Sequence, residues 1–352
     1  MPFDLFATNP AWSVSQLTLA LNRVPYVPGL IGRLGLFRPE RLSTTTTMVE
    51  VQGFRLALVP ETPRGAPPPP DVVDRATMTA IQIPHFAIRS TVVADSVQNV
   101  RAFGTDSQLE GVQAVINQHL ESMSRKLDVT LEFLRLGAVR GKVVTAVDRI
   151  TGAPIVERDV FRLFGLDPNP IIEWPIIGAG AIGQEQAAWA GQLTEMVNGL
   201  GRQMADELPG GMYTRIHGLA GWQFFDAFMA HPEIRAAYIA IENAPLLRDQ
   251  LGTSFSFRGV TIEEYRGRVG NVQFIEPDVC YFFPVGVQDL FIEAYAPGDY
   301  LESVNTIALP RYAKSEVMDF DRGVMMETQM NVFPFCTLPR CLFTVRAVPY
   351  VP

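Results

Sequence analysis

The chain has 352 residues, long for one compact domain, so two lobes with extensions are expected. Its 47% hydrophobic content beside only 19% charged residues points to apolar surface hidden between subunits. The formal net charge of −8 argues against a protein that grips nucleic acid over a broad basic face, although not against one that encloses it.

The N-terminus lacks a basic segment leading into an apolar core, so no secretory signal is expected. Even the most apolar stretch, residues 171–182, carries Glu173 and falls short of the roughly twenty residues that span a bilayer. Residues 2–39 read as an arm, with short apolar patches broken by Pro10, Pro25 and Pro28. From Arg41 to Ala94 the text is strand-like but cannot bury itself. Thr44 to Thr47 and Val49 are β-prone, Phe54, Leu56 and Leu58 alternate with Arg55 and Ala57, and prolines then crowd 60–84, with Pro67 to Pro70 consecutive. Such a ribbon needs a second layer, and a neighbouring copy of the chain can supply it. An arginine at its tip, Arg64, can fork onto a partner's carboxylate or carbonyl.

The strongest periodicity follows. Thr105 and Gln108 have capping-box spacing, and apolar residues recur at Leu109, Val112, Ile116, Leu120, Met123, Leu127, Leu131 and Leu134 before Gly137 as a stop. A helix of about thirty residues is roughly 45 Å long. Glu121 stands four residues before Arg125, so the outer face is solvated or meets a partner's charges. Residues 142–147 and 155–164 flank Thr151-Gly152 as a hairpin. Helical patterns at 184–207, 220–230 and 233–240 are followed by strands at 255–257, 260–265 and 279–283, an α+β lobe. Strand-like text returns from Asp319.

Candidate chemistry is sparse. Gly178, Gly180 and Gly183 match G-x-G-x-x-G, in which glycines admit a pyrophosphate at a helix start. Pro175 interrupts the strand that should precede it, and the strand candidate at 212–216 ends in His217-Gly218 without an acid for a ribose. The four histidines, His85, His119, His217 and His231, have no metal-ligand spacing. Glu263-Glu264 and Asp319/Asp321 read as solvated strand ends. Three cysteines, Cys280, Cys336 and Cys341, read as buried free thiols of a reducing, cytoplasmic setting. No catalytic, cofactor or metal residue is assigned, and the chain does not read as an enzyme.

Several blocks carry a resemblance. Leu58-Val59-Pro60-Glu61-Thr62-Pro63-Arg64-Gly65, Ile83-Pro84-His85, Val100-Arg101-Ala102-Phe103-Gly104 and Glu132-Phe133-Leu134-Arg135-Leu136-Gly137 come in that order. The most specific are Tyr295-Ala296-Pro297-Gly298-Asp299-Tyr300, Leu309-Pro310-Arg311-Tyr312-Ala313-Lys314 and Cys336-Thr337-Leu338-Pro339-Arg340. Together they resemble the lambda-like major capsid protein E family of tailed phages, over nearly the whole chain. Residues 331–335 and 168–183 depart from that pattern.

The resemblance implies an α+β coat fold of the Hong Kong ninety-seven type. Residues 1–42 would be an N-terminal arm and 43–94 an extended loop over an adjacent subunit. Residues 95–183 would be a peripheral domain with spine helix 105–137 and hairpin 142–164, 184–309 an axial domain, and 310–352 a return to the peripheral sheet. Subunit contacts are expected at Phe54, Arg55, Arg64, Pro67, Pro84, His85, Glu121 and Arg125. The implied function is a major capsid protein that assembles through hexamers and pentamers into an icosahedral shell around double-stranded DNA, in a virion built in the host bacterial cytoplasm. Its partners would be itself and scaffold, portal and decoration proteins, with no membrane, no cofactor and no sequence-specific contact to DNA. Two alternatives stay open: a nanocompartment shell, and a nucleotide-binding oxidoreductase using Gly178 to Gly183.

Overall fold

The computed structural model describes residues 29–51, 77–97, 112–147, 154–178, 191–242, 254–269 and 272–349. The arm before residue 29, the loop tip that holds Phe54, Arg55, Arg64 and Pro67, the Thr105/Gln108 box and the Thr151-Gly152 turn lie outside these residues. The chain divides into two compact units, one from 1–48, 80–135 and 292–334, the other from 49–79, 136–291 and 335–352.

The first unit is a helix on a sheet. Its strands are β1 (Phe37–Arg41), β4 (His85–Val93), β14 (Phe291–Tyr295), β15 (Tyr312–Val317) and β16 (Gly323–Cys336). They run in the order β1-β14-β16-β15, with β4 also paired to β16. The β4–β16 ladder is antiparallel, from Val93 opposite Gly323 to His85 opposite Asn331. The helix α2 (Val112–Arg140) lays Ile116, Leu120 and Met123 against Val92, Ala313, Val324 and Met326. For residues 85–93 this corrects the sequence reading of 41–94 as a ribbon without a home on its own body. Phe86, Ile88, Ser90 and Val92 point inward at period two, and β4 finds its ladder in β16, about 240 residues downstream in register. Before it, β2 (Thr46–Val51) and β3 (Thr77–Gln82) form a two-stranded sheet. A short helix, α1 (Leu30–Leu34), precedes β1.

The second unit carries a mixed six-stranded sheet. Its order is β7 (Ile172–Ile177), β17 (Phe343–Pro349), β13 (Val279–Val285), β8 (Arg215–Ala220), β10 (Val260–Glu264) and β9 (Ser254–Phe257). The pairs β17–β7 and β10–β8 are parallel and the rest antiparallel. Trp174 on β7, Phe282 on β13 and Phe224 pack with ring centroids 5.5 to 6.4 Å apart. The proline that argued against a central strand sits on an edge: among the described residues β7 pairs only with β17, so Pro175 withholds no required donor. A short antiparallel pair, β11 (Arg268–Val269) and β12 (Val272–Gln273), and helices α4 (Gln192–Asp206), α5 (Trp222–Ala230) and α6 (Pro232–Glu242) belong to this unit as well.

Four boundaries differ from the expectation, each for a physical reason. Gly137 does not end α2. A Cβ there would stand 2.8 Å from the Val143 Cα and 2.9 Å from the Lys142 carbonyl, so this glycine admits the following strand against the helix. The left-handed stop is Gly141, at φ 74°. The second hairpin arm is shorter than expected. β5 (Lys142–Val147) pairs with β6 (Pro154–Asp159), and Asp159 then accepts from the Phe161 and Arg162 amides to start a one-turn helix, α3 (Val160–Leu163). α4 begins at Gln192, because Gly191 is left-handed at φ 87°; the Glu233 carboxylate accepts from the Leu193 and Thr194 amides at 2.9 and 3.2 Å. The strand expected at 212–216 is β8, which runs on through His217 and Gly218.

Candidate functional site

Along α2, buried Ser124, Asp128 and Glu132 and half-buried Arg135 form a polar row at steps of four, four and three. Arg311, 7% exposed, donates to Ser124 Oγ and to Asp128 Oδ1. Burial pushes the Asp128 carboxyl above its ordinary value, while Arg311 and Arg135 pull the other way. Glu132 accepts the Ile31 amide at 2.8 Å and the Gly32 amide at 3.2 Å, so it satisfies orphan donors of α1. Gly29 is bare because a Cβ there would come within 2.3 Å of the Glu132 carboxyl carbon. Arg135 forks onto Glu293 at 2.9 and 3.0 Å, and the Tyr295 hydroxyl donates to the same carboxylate at 2.9 Å. This seam fastens the segment before β1 and the 292–311 region to one helix. The sequence reading missed it. Its one local signal was the recurrence of polar residues at four-residue steps beside the apolar stripe.

The predicted contact residues within the described chain fall in two places. Pro84, half-buried, and exposed His85 join β3 to β4, and His85 Nδ1 lies 2.7 Å from Asn331 Oδ1. Glu121 and Arg125 pair at 2.5 Å on the outer face of α2, with side chains 48% and 71% exposed. Beyond β4, Arg89 bonds Glu327 at 2.8 Å, and Lys314 lies 5.5 Å over the Tyr300 ring. Leu301, Val304 and Ile307 are exposed at steps of three, with Leu301 94% exposed. No sequence signal separated these apolar residues from core ones.

Elsewhere the expected chemistry fares unevenly. Glu263-Glu264 is not a solvated strand end: Glu264 is buried and forked by Arg266 at 2.7 Å, and Glu263 Oε2 lies 3.4 Å from buried His217. Asp319 and Asp321 are exposed at the β15–β16 turn. Cys280, Cys336 and Cys341 are free and buried, and burial pushes the Cys280 thiol up. Gly178 is left-handed at φ 84°, and the other two glycines of that motif lie outside the described residues. Among the described residues, no cluster of three or more His, Cys, Asp or Glu could hold a metal, and no helix is long and apolar enough to cross a membrane.

The profile of the family described as phage major capsid protein E matches residues 13–347. The chain belongs to this family. It is 25% identical to the major capsid protein of Salmonella phage Felix O1, over 95% of this chain and 96% of that one. It is 26% identical to the major capsid protein of Pseudomonas phage KPP10, over the same shares. Among solved structures, a putative prophage capsid protein of E. coli CFT073 superposes with a TM-score of 0.57 at 16% identity, covering 95% of this chain and 99% of its own. A phage-related protein of Bordetella bronchiseptica RB50 does so with 0.50 at 11%, covering 94% and 95%. The α+β architecture is therefore the phage coat fold of the Hong Kong ninety-seven type. As a phage major capsid protein, the chain is a structural component of an icosahedral shell, and its work is self-association. Neither the nanocompartment nor the nucleotide-enzyme reading is favoured.

Proposed function

We propose that the chain assembles through hexamers and pentamers into a shell around double-stranded DNA. In this reading the arm, 1–42, and the loop, 43–94, reach adjoining subunits through the parts outside β1 and β4, which pair within the chain's own sheet. Such exchange satisfies strand edges and apolar surface between chains. Weak contacts suffice, since closure multiplies them over many copies. The helix-on-sheet unit takes the peripheral role. The hairpin 142–164 keeps its expected peripheral role, the six-stranded sheet takes the axial one, and β17, expected with the peripheral sheet, is reassigned to the axial role because it is hydrogen-bonded to β13 and β7. Glu121, Arg125, Pro84 and His85 face neighbours, as do Phe54, Arg55, Arg64 and Pro67 on the loop. Scaffold, portal and decoration proteins are the further partners, assembly takes place in the host cytoplasm, and no catalysis is assigned.

The observation that carries this reading is the family match over residues 13–347. The exposed row of Leu301, Val304 and Ile307 supports it, since side chains of this size and exposure gain most from a covering surface. Electron microscopy and light scattering on the expressed protein, alone and with its cognate scaffold, test it. Closed particles, sheets or tubes are expected. A monodisperse solute under both conditions rules the assembly reading out.

A further inference from the structure

In the second unit, α4, the start of β8 and the β9–β10 turn enclose a groove of about 460 Å³. Arg202 and Arg258 line it together with Asn198, Tyr213 and Thr214, and no carboxylate stands among its described lining residues. Chain-wide, 37 acidic residues outnumber 29 basic ones, so this lining runs against the composition.

The groove is also held in shape. Arg258 is left-handed at φ 50°, followed by Gly259 at φ 81°. The two residues form the tight turn that joins β9 to β10, where a two-residue hairpin loop requires left-handed backbone, so the hairpin fixes where Arg258 stands. The Arg258 guanidinium lies 5.8 Å from the Phe257 ring centroid, a contact that limits its swing. A Cβ on Gly286 would stand 2.0 Å from the Thr214 hydroxyl oxygen, so the bare glycine leaves that hydroxyl its place. Two guanidiniums, the Asn198 amide and the Thr214 hydroxyl thus line the groove from three elements, all able to donate to anionic oxygens, while the Tyr213 hydroxyl donates to the Gly201 carbonyl.

We propose that this groove binds the phosphodiester backbone of nucleic acid, Arg202 and Arg258 each taking a phosphate. Cations on two separate elements suit a repeating anion better than a single one. The inference rests on the reading of the chain as a shell around DNA and adds the contact point. It also reconciles that role with the acidic balance. At about −0.9 per neutralised phosphate, two contacts give a logarithmic salt slope of roughly −1.8. Each subunit then holds the polymer weakly, and the array holds it by repetition.

The test uses the full chain and a fluorescent DNA duplex, with anisotropy titrated across sodium chloride concentrations. The native chain is expected to show the slope of roughly −1.8. The Arg202→Glu/Arg258→Glu variant should lose affinity about tenfold or more at low salt and flatten the slope. Arg202→Lys/Arg258→Lys should recover most of the loss, because point charges suffice for phosphate. Both arginines are exposed, so the variants should keep the native thermal midpoint. Arg202→Gln/Arg258→Gln, without charge reversal, provides a second reading of the same loss. Native-like affinity and slope in the reversed or neutralised variant overturn the proposal. Electron micrographs of the same samples separate it from the shell reading. Particles with unchanged DNA binding in the variants sink the groove alone, whereas arginine-dependent binding without particles sinks the shell and leaves the groove standing.

Discussion

Arg311 sits where a single substitution has the largest reach. Its guanidinium serves both Ser124 and Asp128 inside the first unit, and removing one member of a buried ion pair leaves the other charge uncompensated. Arg311→Met is expected to cost about 3–5 kcal/mol at neutral pH, read by urea denaturation. The loss should shrink in acid. Burial already pushes the Asp128 carboxyl up, and without Arg311 it takes a proton more readily, so the variant gains stability as pH falls through that raised value. A pH-independent loss would contradict this account. Glu327 has the opposite sign. Gln329 and Arg89 donate to it at 2.9 and 2.8 Å and hold its carboxyl below the ordinary value of 4.5. A carboxyl more acidic in the folded state adds stability above its unfolded value, and that stability is lost as pH falls through the folded one. Glu327→Gln is therefore expected to flatten the acid limb of stability against pH, measured as the urea midpoint from about pH 5 to about pH 3.

Elements were legible where their signal was local. The α2 stripe from Val112 to Leu134 repeats every three or four residues, and that period survives whatever the helix packs on. Its end was misread because Gly137 looks like a stop in one dimension, while its reason lies in the Val143 backbone pressed against it. The β4 alternation was legible as strand, but its partner β16 was not, since pairing across some 240 residues leaves no local trace. The seam is similar: Asp128 and Glu132 were visible, whereas Arg311 is 183 residues away from Asp128. Gly137 allows a test at this scale. Helix propensity alone predicts that Gly137→Ala stabilises by about 1 kcal/mol. The approach of 2.8 Å to the Val143 Cα is to backbone and cannot be relieved by a rotamer change, so we expect a net destabilisation of about 1–3 kcal/mol. Thermal or urea unfolding decides by sign alone.

At the scale of the whole molecule, residues that stabilise the subunit must be told apart from residues that join subunits. The buried seam belongs to the first kind, and Glu121–Arg125 is proposed to belong to the second. Both side chains are largely exposed, and such a pair within one helix contributes only about 0.3–0.5 kcal/mol. Arg125→Glu should therefore move the thermal midpoint by no more than about 2 °C. If the outer face of α2 meets a neighbour, the same change places two like charges four residues apart at a contact repeated in every copy. Assembly followed by light scattering should then slow or halt, and raising the ionic strength should partly restore it, because repulsion between partly exposed charges is screened within about 10 Å at 0.1 M salt. Unchanged assembly by Arg125→Glu at low salt would remove this face from the set of subunit contacts. The contact would then have to be sought among the exposed apolar residues from Leu301 to Ile307, where substitution should give a defect that added salt does not relieve.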